Sequence, residues 1–317
     1  MMKLKRLTLA ALVVAFLLTV TGLYSCKQKA KTVYTDTLTT GTIEISVDES
    51  FKPVIDEQIK VFEASFPEAK VNVVYKPEAD CLKDVILNPN TRMAIVTRGL
   101  SAKEENYFKD SLGFAPAWNE LATDALTVVV NAKSTDTLFS KERLKDILSG
   151  KSAQKFQVVF DGFSSTSSVR YAIDSILKGD QLDPKVVSAV KNSSSVLDYV
   201  ASNENAIGLV GFSWIGNPED TAQIRMLTKV KMAYVQCSNC DDKAYVKPTQ
   251  MGILTRRYPL VRELYYILKE NHSGLGSGFV NFMQYERGQL IFRRSYLGSS
   301  RIGFAIRSVK INEKLSK

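Results

Sequence analysis

Hydrophobic positions along residues 42–110 change period in a regular way. Ile43, Ile45 and Val47 alternate with polar residues, the mark of a half-buried strand. After Pro53, the residues Ile55, Ile59, Phe62 and Phe66 fall at helical spacing, and Pro67 stops the run. The pattern then predicts a strand over 71–75, a short helix over 81–87 and a strand over 93–97. Ser101 and Glu104 have capping-box spacing and open a further helix. Such alternation implies parallel strands with helices packed on them.

The same reading continues with an apolar strand at 125–130, a helix at 140–148 closed by Gly150, and a short strand at 158–160. Helical patterns begin at Pro184 and cover 196–201, and 206–212 reads as a buried strand. Residues 213–250 are irregular. A helix is expected within 256–269, another face is marked by Phe279, Phe282, Met283 and Leu290, and 302–311 reads as a closing strand. There is no internal repeat. The expected fold class is α/β.

The first residues change the compartment. Lys3, Lys5 and Arg6 precede an apolar run over 7–23, which reads as a secretory signal or an uncleaved anchor. Leu23-Tyr24-Ser25-Cys26 resembles a bacterial lipobox, in which the cysteine becomes lipidated and N-terminal. On this reading 1–25 is a lipoprotein signal peptide, Cys26 carries the lipid, and 26–40 is a Lys-, Thr- and Ala-rich tether. Localisation follows: the periplasmic or outer face of a bacterial membrane. The chain's net charge of +9 drops to +6 once the three leader cations are removed. A basic body suits nucleic acid, an acidic membrane face or a small anion. No dense basic run with interleaved aromatics appears, so no nucleic-acid partner is expected.

The stretch VVFDGFSSTSSVRYAIDSIL, 158–177, reads as strand, hydroxyl-rich loop and helix start. Helix-start amides lack internal partners and carry positive potential, so Ser164, Ser165, Thr166 and Ser167 could surround an oxyanion. The competing reading is an ordinary N-cap in a solvated loop. Ser50 and Phe51 follow the first strand and Arg98 follows the third. In open α/β sheets ligands bind beyond the carboxyl ends of strands. Arg98 offers a charge-assisted contact, or else a surface or interdomain salt bridge. Glu78 and Arg170 are further candidates: Glu78 to accept a ligand proton or orient Arg98, Arg170 to face the ligand or away from it. Cys237 and Cys240 have CxxC spacing. A zinc site would need two more ligands, and a local disulfide is the preferred reading. With His272 the single histidine, a Ser-His-acid triad is not expected, and no enzyme activity, metal or cofactor is assigned.

The C-terminal third carries a family resemblance. YPLVRELYYILK (258–269) and GFVNFMQYERGQLIFRRSYLG (278–298) resemble the closing segments of phosphate-binding receptors of bacterial ABC importers. MAIVTRGLS (93–101), FDGFSSTSS (160–168) and AIGLVGF (206–212) resemble other segments of that family, so the likeness runs from about residue 42 to 311. It implies a two-lobed periplasmic binding protein of type II, each lobe a mixed sheet flanked by helices. Lobe 1 would be 41–123 plus 245–317, and lobe 2 would be 124–244. It also implies a monomer that captures inorganic phosphate or a similar oxyanion and docks on ABC permease subunits. Another oxyanion, or a non-transporting sensor on the same fold, are the alternatives. Ser50 and Phe51 stand at the family's Thr-Phe pair, and Ser164–Thr166 at its Ser-Gly-Thr. Two departures stand out: Thr97-Arg98 occupies the place of the family's proton-accepting Asp, and Val159-Phe160 that of an Arg.

The lipobox is directly testable. Cys26→Ser should abolish labelling by radioactive fatty acid and leave an unprocessed precursor. A wild-type N-terminus found elsewhere, without lipid, would overturn the assignment.

Overall fold

The computed structural model describes residues 35–301. The leader, Cys26, residues 27–34 of the tether and the expected strand at 302–311 lie outside the described residues. Within them, no helix is long and apolar enough to cross a membrane.

The first half follows the hydrophobic pattern closely. β1 (Gly41–Asp48), α1 (Lys52–Ser65), β2 (Ala69–Lys76), α2 (Glu78–Leu87), β3 (Thr91–Val96) and α3 (Ala102–Leu112) come in the expected order. β1 pairs in parallel with β2 and β3. Pro53 lies in the first turn of α1, where its missing N–H costs nothing. The capping box of Ser101 and Glu104 starts α3. β4 (Ala117–Asn131) starts eight residues before the expected strand, because Ala117, Trp118 and Asn119 are exposed and give no buried apolar run. From Leu121 it is buried on both faces, as befits a central strand.

Then come β5 (Leu138–Phe139), α4 (Lys141–Leu148), β6 (Gln157–Phe160), α5 (Ser167–Tyr171, extended by a π-turn over Ala172–Ile176), β7 (Val187–Ala189), α6 (Ser193–Ser202) and β8 (Ala206–Gly211). The chain after Pro184 forms a turn and β7, not a helix. The region expected to be irregular contains α7 (Thr221–Met226), β9 (Val230–Met232), β10 (Tyr234–Gln236) and β11 (Tyr245–Val246). It is followed by α8 (Gln250–Leu254), β12 (Val261–Leu268), α9 (Leu275–Gln284), α10 (Glu286–Arg294) and β13 (Gly298–Ser299).

β12 overturns the helix expected within 256–269. Arg262, Leu264, Tyr266 and Leu268 all point inward, a period of two. A charged residue at an inward position concealed that alternation. The strand order is β2-β1-β3-β12-β4-β8-β6-β7, with β13 and β9 also on β4. β12 is antiparallel to β3 and β4, whereas β6 is parallel to β8 and β7. β4 pairs with β12 as far as Ala125 and with β8 from Leu126. The two lobes are thus mixed sheets that share this one strand. β5, β10 and β11 form a small separate sheet.

The GQ of the C-terminal segment has a packing role. A side chain on Gly288 would run into the Phe282 carbonyl and Met283. Gln289 is fully buried, and its Nε2 donates to Leu121 O (3.0 Å) and Met283 O (2.8 Å). Its Oε1 accepts from Ser299 Oγ at 2.7 Å and from Arg301 N at 3.2 Å. One amide therefore ties α10 to β4 and β13. Gln289→Leu should cost about 2–4 kcal/mol, since several buried polar groups lose partners at about 1–3 kcal/mol each and relax in part. Urea unfolding of the purified protein measures it, and a change below about 0.5 kcal/mol would contradict this role.

Candidate functional site

The expected hydroxyl loops do meet. Asp48 ends β1 and caps the turn Glu49–Phe51, accepting from Ser50 N at 3.0 Å and Ser50 Oγ at 2.9 Å. Facing it, Thr166 caps α5 through Val169 N. Ser167 follows it, and its Oγ lies 3.2 Å from Ser50 Oγ, with both residues buried. Three further contacts bridge the lobes there. Ser193 donates to Glu49 through N (3.1 Å) and Oγ (2.7 Å). Ala79 N donates to Ser165 O at 2.9 Å. Arg170 Nε donates to Glu78 Oε2 at 2.6 Å.

Three positions behave differently from the expectation. Arg98 is not in this cluster. Both of its terminal nitrogens donate to Glu104 at 2.8 Å, the carboxylate that also closes the α3 capping box. This bidentate partner holds the Glu104 carboxyl down at about 2. Phe51 is a fully buried core residue, and Ser164 is exposed on the loop. Glu78 and Arg170 pair with each other, and Arg170 Nη2 also donates to Thr97 Oγ1 at 2.6 Å. Burial would raise the Glu78 carboxyl, but Arg170 and the Thr97 donors bring it below its ordinary value.

The cation that the hydroxyls do find is Arg262, on β12. It is 3% exposed, and its Nε donates to Asp124 Oδ2 at 2.9 Å. Its Nη1 donates to Ser167 Oγ at 2.9 Å, and its Cζ lies 4.9 Å from the centre of the Phe51 ring. Arg262 was missed because its segment read as a helix. The signal was present: a lone arginine at even spacing with Leu264, Tyr266 and Leu268.

Carboxylates outnumber cations in this interior. Asp48 and Asp161 join Asp124 there, each more than nine-tenths buried. Burial, with Glu78 adding negative charge, pushes Asp48 up to about 7. Burial likewise raises Asp161 and Glu49. Asp48 and Asp161 stand at strand ends next to the noted serines, whereas the sequence pointed to Glu78 as the acid of the site. A cavity of about 280 Å³ opens at Asp48 and Thr166, the sequence neighbours of the hydroxyl pair, which itself does not line it. Asp48, Glu49 and Asp161 line it, and Lys52, Lys76 and Lys191 surround it.

Two other clusters do different work. Cys237 and Cys240 are bonded to each other in the turn between β10 and β11, which consumes the thiolates a zinc site would need. Asp36, Glu270 and His272 bring one ligand atom each within 4.8 Å of one another. Arg92 already supplies the cation there, 2.8 Å from Asp36 and 3.3 Å from Glu270.

The description of the PBP superfamily domain matches residues 32–287. The chain belongs to that superfamily. No curated protein matches it. Among solved structures it is similar to a phosphate ABC transporter substrate-binding protein from Clostridium perfringens with bound phosphate. That match has 20% identity and a TM-score of 0.67, and covers 82% of this chain and 100% of the other. An ABC-type phosphate transport receptor from Vibrio cholerae gives 21% identity and a TM-score of 0.59, over 82% and 100% of the two chains. The regulatory domain of a LysR family regulator from N. meningitidis gives 13% and 0.51, over 82% and 98%. These likenesses establish the PBP fold.

The buried charge pair can be tested alone. Arg262→Met should destabilise the protein by about 3–5 kcal/mol, because Asp124 is left buried without its partner. Adding Asp124→Asn should recover part of that loss. A loss near the 0–1 kcal/mol of an exposed pair, read by urea unfolding, would contradict the arrangement.

Proposed function

We propose that this protein is an extracytoplasmic, lipid-anchored solute-binding receptor that captures phosphate between its lobes for an ABC importer. The observation that carries the reading is the meeting of Ser50 with Ser167, hydroxyls from opposite lobes, beside the guanidinium of Arg262. Both hydroxyls can turn to donate to an entering oxygen in place of the bond between them. Arg262 supplies the positive charge for which the sequence offers no Arg at 159–160. The likeness to two phosphate receptors supports the choice of anion. On this reading the lobes, 41–123 with 245–317 and 124–244, close over the ligand, and the closed form docks on the permease. Binding and release suffice, and no residue is assigned a catalytic role.

The acids set the pH dependence. Asp48 is raised to about 7, so it is neutral below that pH and a carboxylate above it. A carboxylate beside the anion repels it, so binding strengthens as pH falls through 7.

Calorimetry of the purified protein in detergent with phosphate tests both points. Ser50→Ala and Ser167→Ala should each weaken phosphate about ten- to hundred-fold, one lost hydrogen bond to a charged group apiece. In wild type, affinity should rise between about pH 8 and about pH 6, and Asp48→Asn should flatten the part that Asp48 contributes. No phosphate binding at any pH would overturn the proposal.

A further inference from the structure

The bond between Cys237 and Cys240 is not needed to shape the turn that carries it. The two residues lie three apart in sequence, between β10 and β11. A cross-link stabilises mainly by restricting the unfolded chain, and the effect grows with the loop it closes. This loop is short, and backbone bonds already hold the turn. Val235 and Gln236 pair with Val246 and Tyr245. Cys237 N donates to Ala244 O at 2.8 Å, and Lys243 N donates to Cys240 O at 3.1 Å.

The bond is also within reach of solvent. Both cysteines line a cavity of about 390 Å³, together with Lys141, Glu142 and Lys243. Cys237 is 3% exposed, whereas Cys240 is half-buried and so the more open of the two. The ammoniums of Lys141 and Lys243 have no hydrogen-bond or salt-bridge partner among the described residues. Burial lowers Lys141 below its ordinary value, so an anion beside it is stabilising. Glu142 is the one acid that lines the cavity. Asp241 and Asp242 are exposed in the same turn, and Asp242 accepts from Ala244 N at 3.2 Å.

We infer that Cys237–Cys240 is an exchange site for small thiols, with Lys141 and Lys243 favouring the thiolates that the exchange passes through. The incoming thiolate attacks Cys240 Sγ and forms a mixed disulfide. The Cys237–Cys240 bond breaks as it does so, and Cys237 leaves with the electron pair and takes a proton from water. A second thiolate attacks the sulfur of the first thiol and releases Cys240, which is protonated in turn. Two thiols are thereby oxidised to one disulfide, and the protein's disulfide is reduced to two thiols. Access and a stabilised leaving thiolate govern the rate of such exchange, and nearby cations lower a thiol's pKa. Cys81 has neither advantage: it is fully buried, and burial pushes its thiol up.

The test treats the full chain in detergent with reduced glutathione at mildly alkaline pH, followed by alkylation and peptide mapping. Cys237 and Cys240 should become labelled while Cys81 stays unlabelled, which shows that the protein remained folded. Lys141→Met combined with Lys243→Met should slow the reaction about tenfold, the loss of two exposed charge contacts, with the melting temperature unchanged. High salt should slow the wild type in the same direction. Labelling of Cys237 and Cys240 only when Cys81 is labelled too would mean that the bond opens on unfolding alone, and would overturn the inference. An unchanged rate in the double variant would overturn it as well. None of these outcomes bears on phosphate binding.

Discussion

The rest of this structure depends on a buried charge pair. Arg262 and Asp124 face each other from neighbouring strands β12 and β4, both almost without solvent. Taking two such ions out of water is expensive, and only close pairing with further hydrogen bonds offsets the cost. The pair sits where β4 changes partner from β12 to β8, at the junction of the two lobes. From there polar contacts run outward: Arg262 donates to Ser167, Ser167 meets Ser50, and Ser50 donates to Asp48. The hydroxyls therefore owe their positions to a charge on the connecting strands as well as to their own loops.

That arrangement explains the cleft's electrostatics. One guanidinium cannot offset Asp48, Asp124 and Asp161 together in a low-dielectric interior. Burial raises the carboxyls of all three, Asp48 to about 7. Glu78 behaves oppositely because it has Arg170 as a direct partner. Two carboxylates in one cleft thus differ in ionisation through their neighbours. The contacts Ser50–Ser167, Glu49–Ser193 and Glu78–Arg170 also stabilise the arrangement seen here. A ligand then shifts the balance only by what it adds beyond those contacts.

Fold and function separate clearly here. The fold is similar to that of a phosphate substrate-binding protein and of a regulator domain, so the fold alone does not choose a solute. The choice lies in side chains at the strand ends. This chain buries carboxylates and Arg262 around the hydroxyl pair and ties Arg98 to Glu104.

The sequence by itself determined the alternating elements of the first lobe, the cap at Ser101, and the two hydroxyl loops. Each of these follows from local periodicity or from hydrogen bonds within a few residues, which a linear reading captures. The C-terminal segments also carried the family likeness. The strand character of β12 was not legible, since an inward arginine breaks a hydrophobic alternation and only a partner such as Asp124 makes it tolerable. Arg98 and Glu104 were each legible, but their pairing depends on the orientation of side chains around one helix start. The burial of Asp48 and Asp161, and so the upward shift of their carboxyls, came from tertiary packing. Tertiary structure decided the charge of the site, because desolvation and partners more than a hundred residues away fix it, and neither is a property of the local chain.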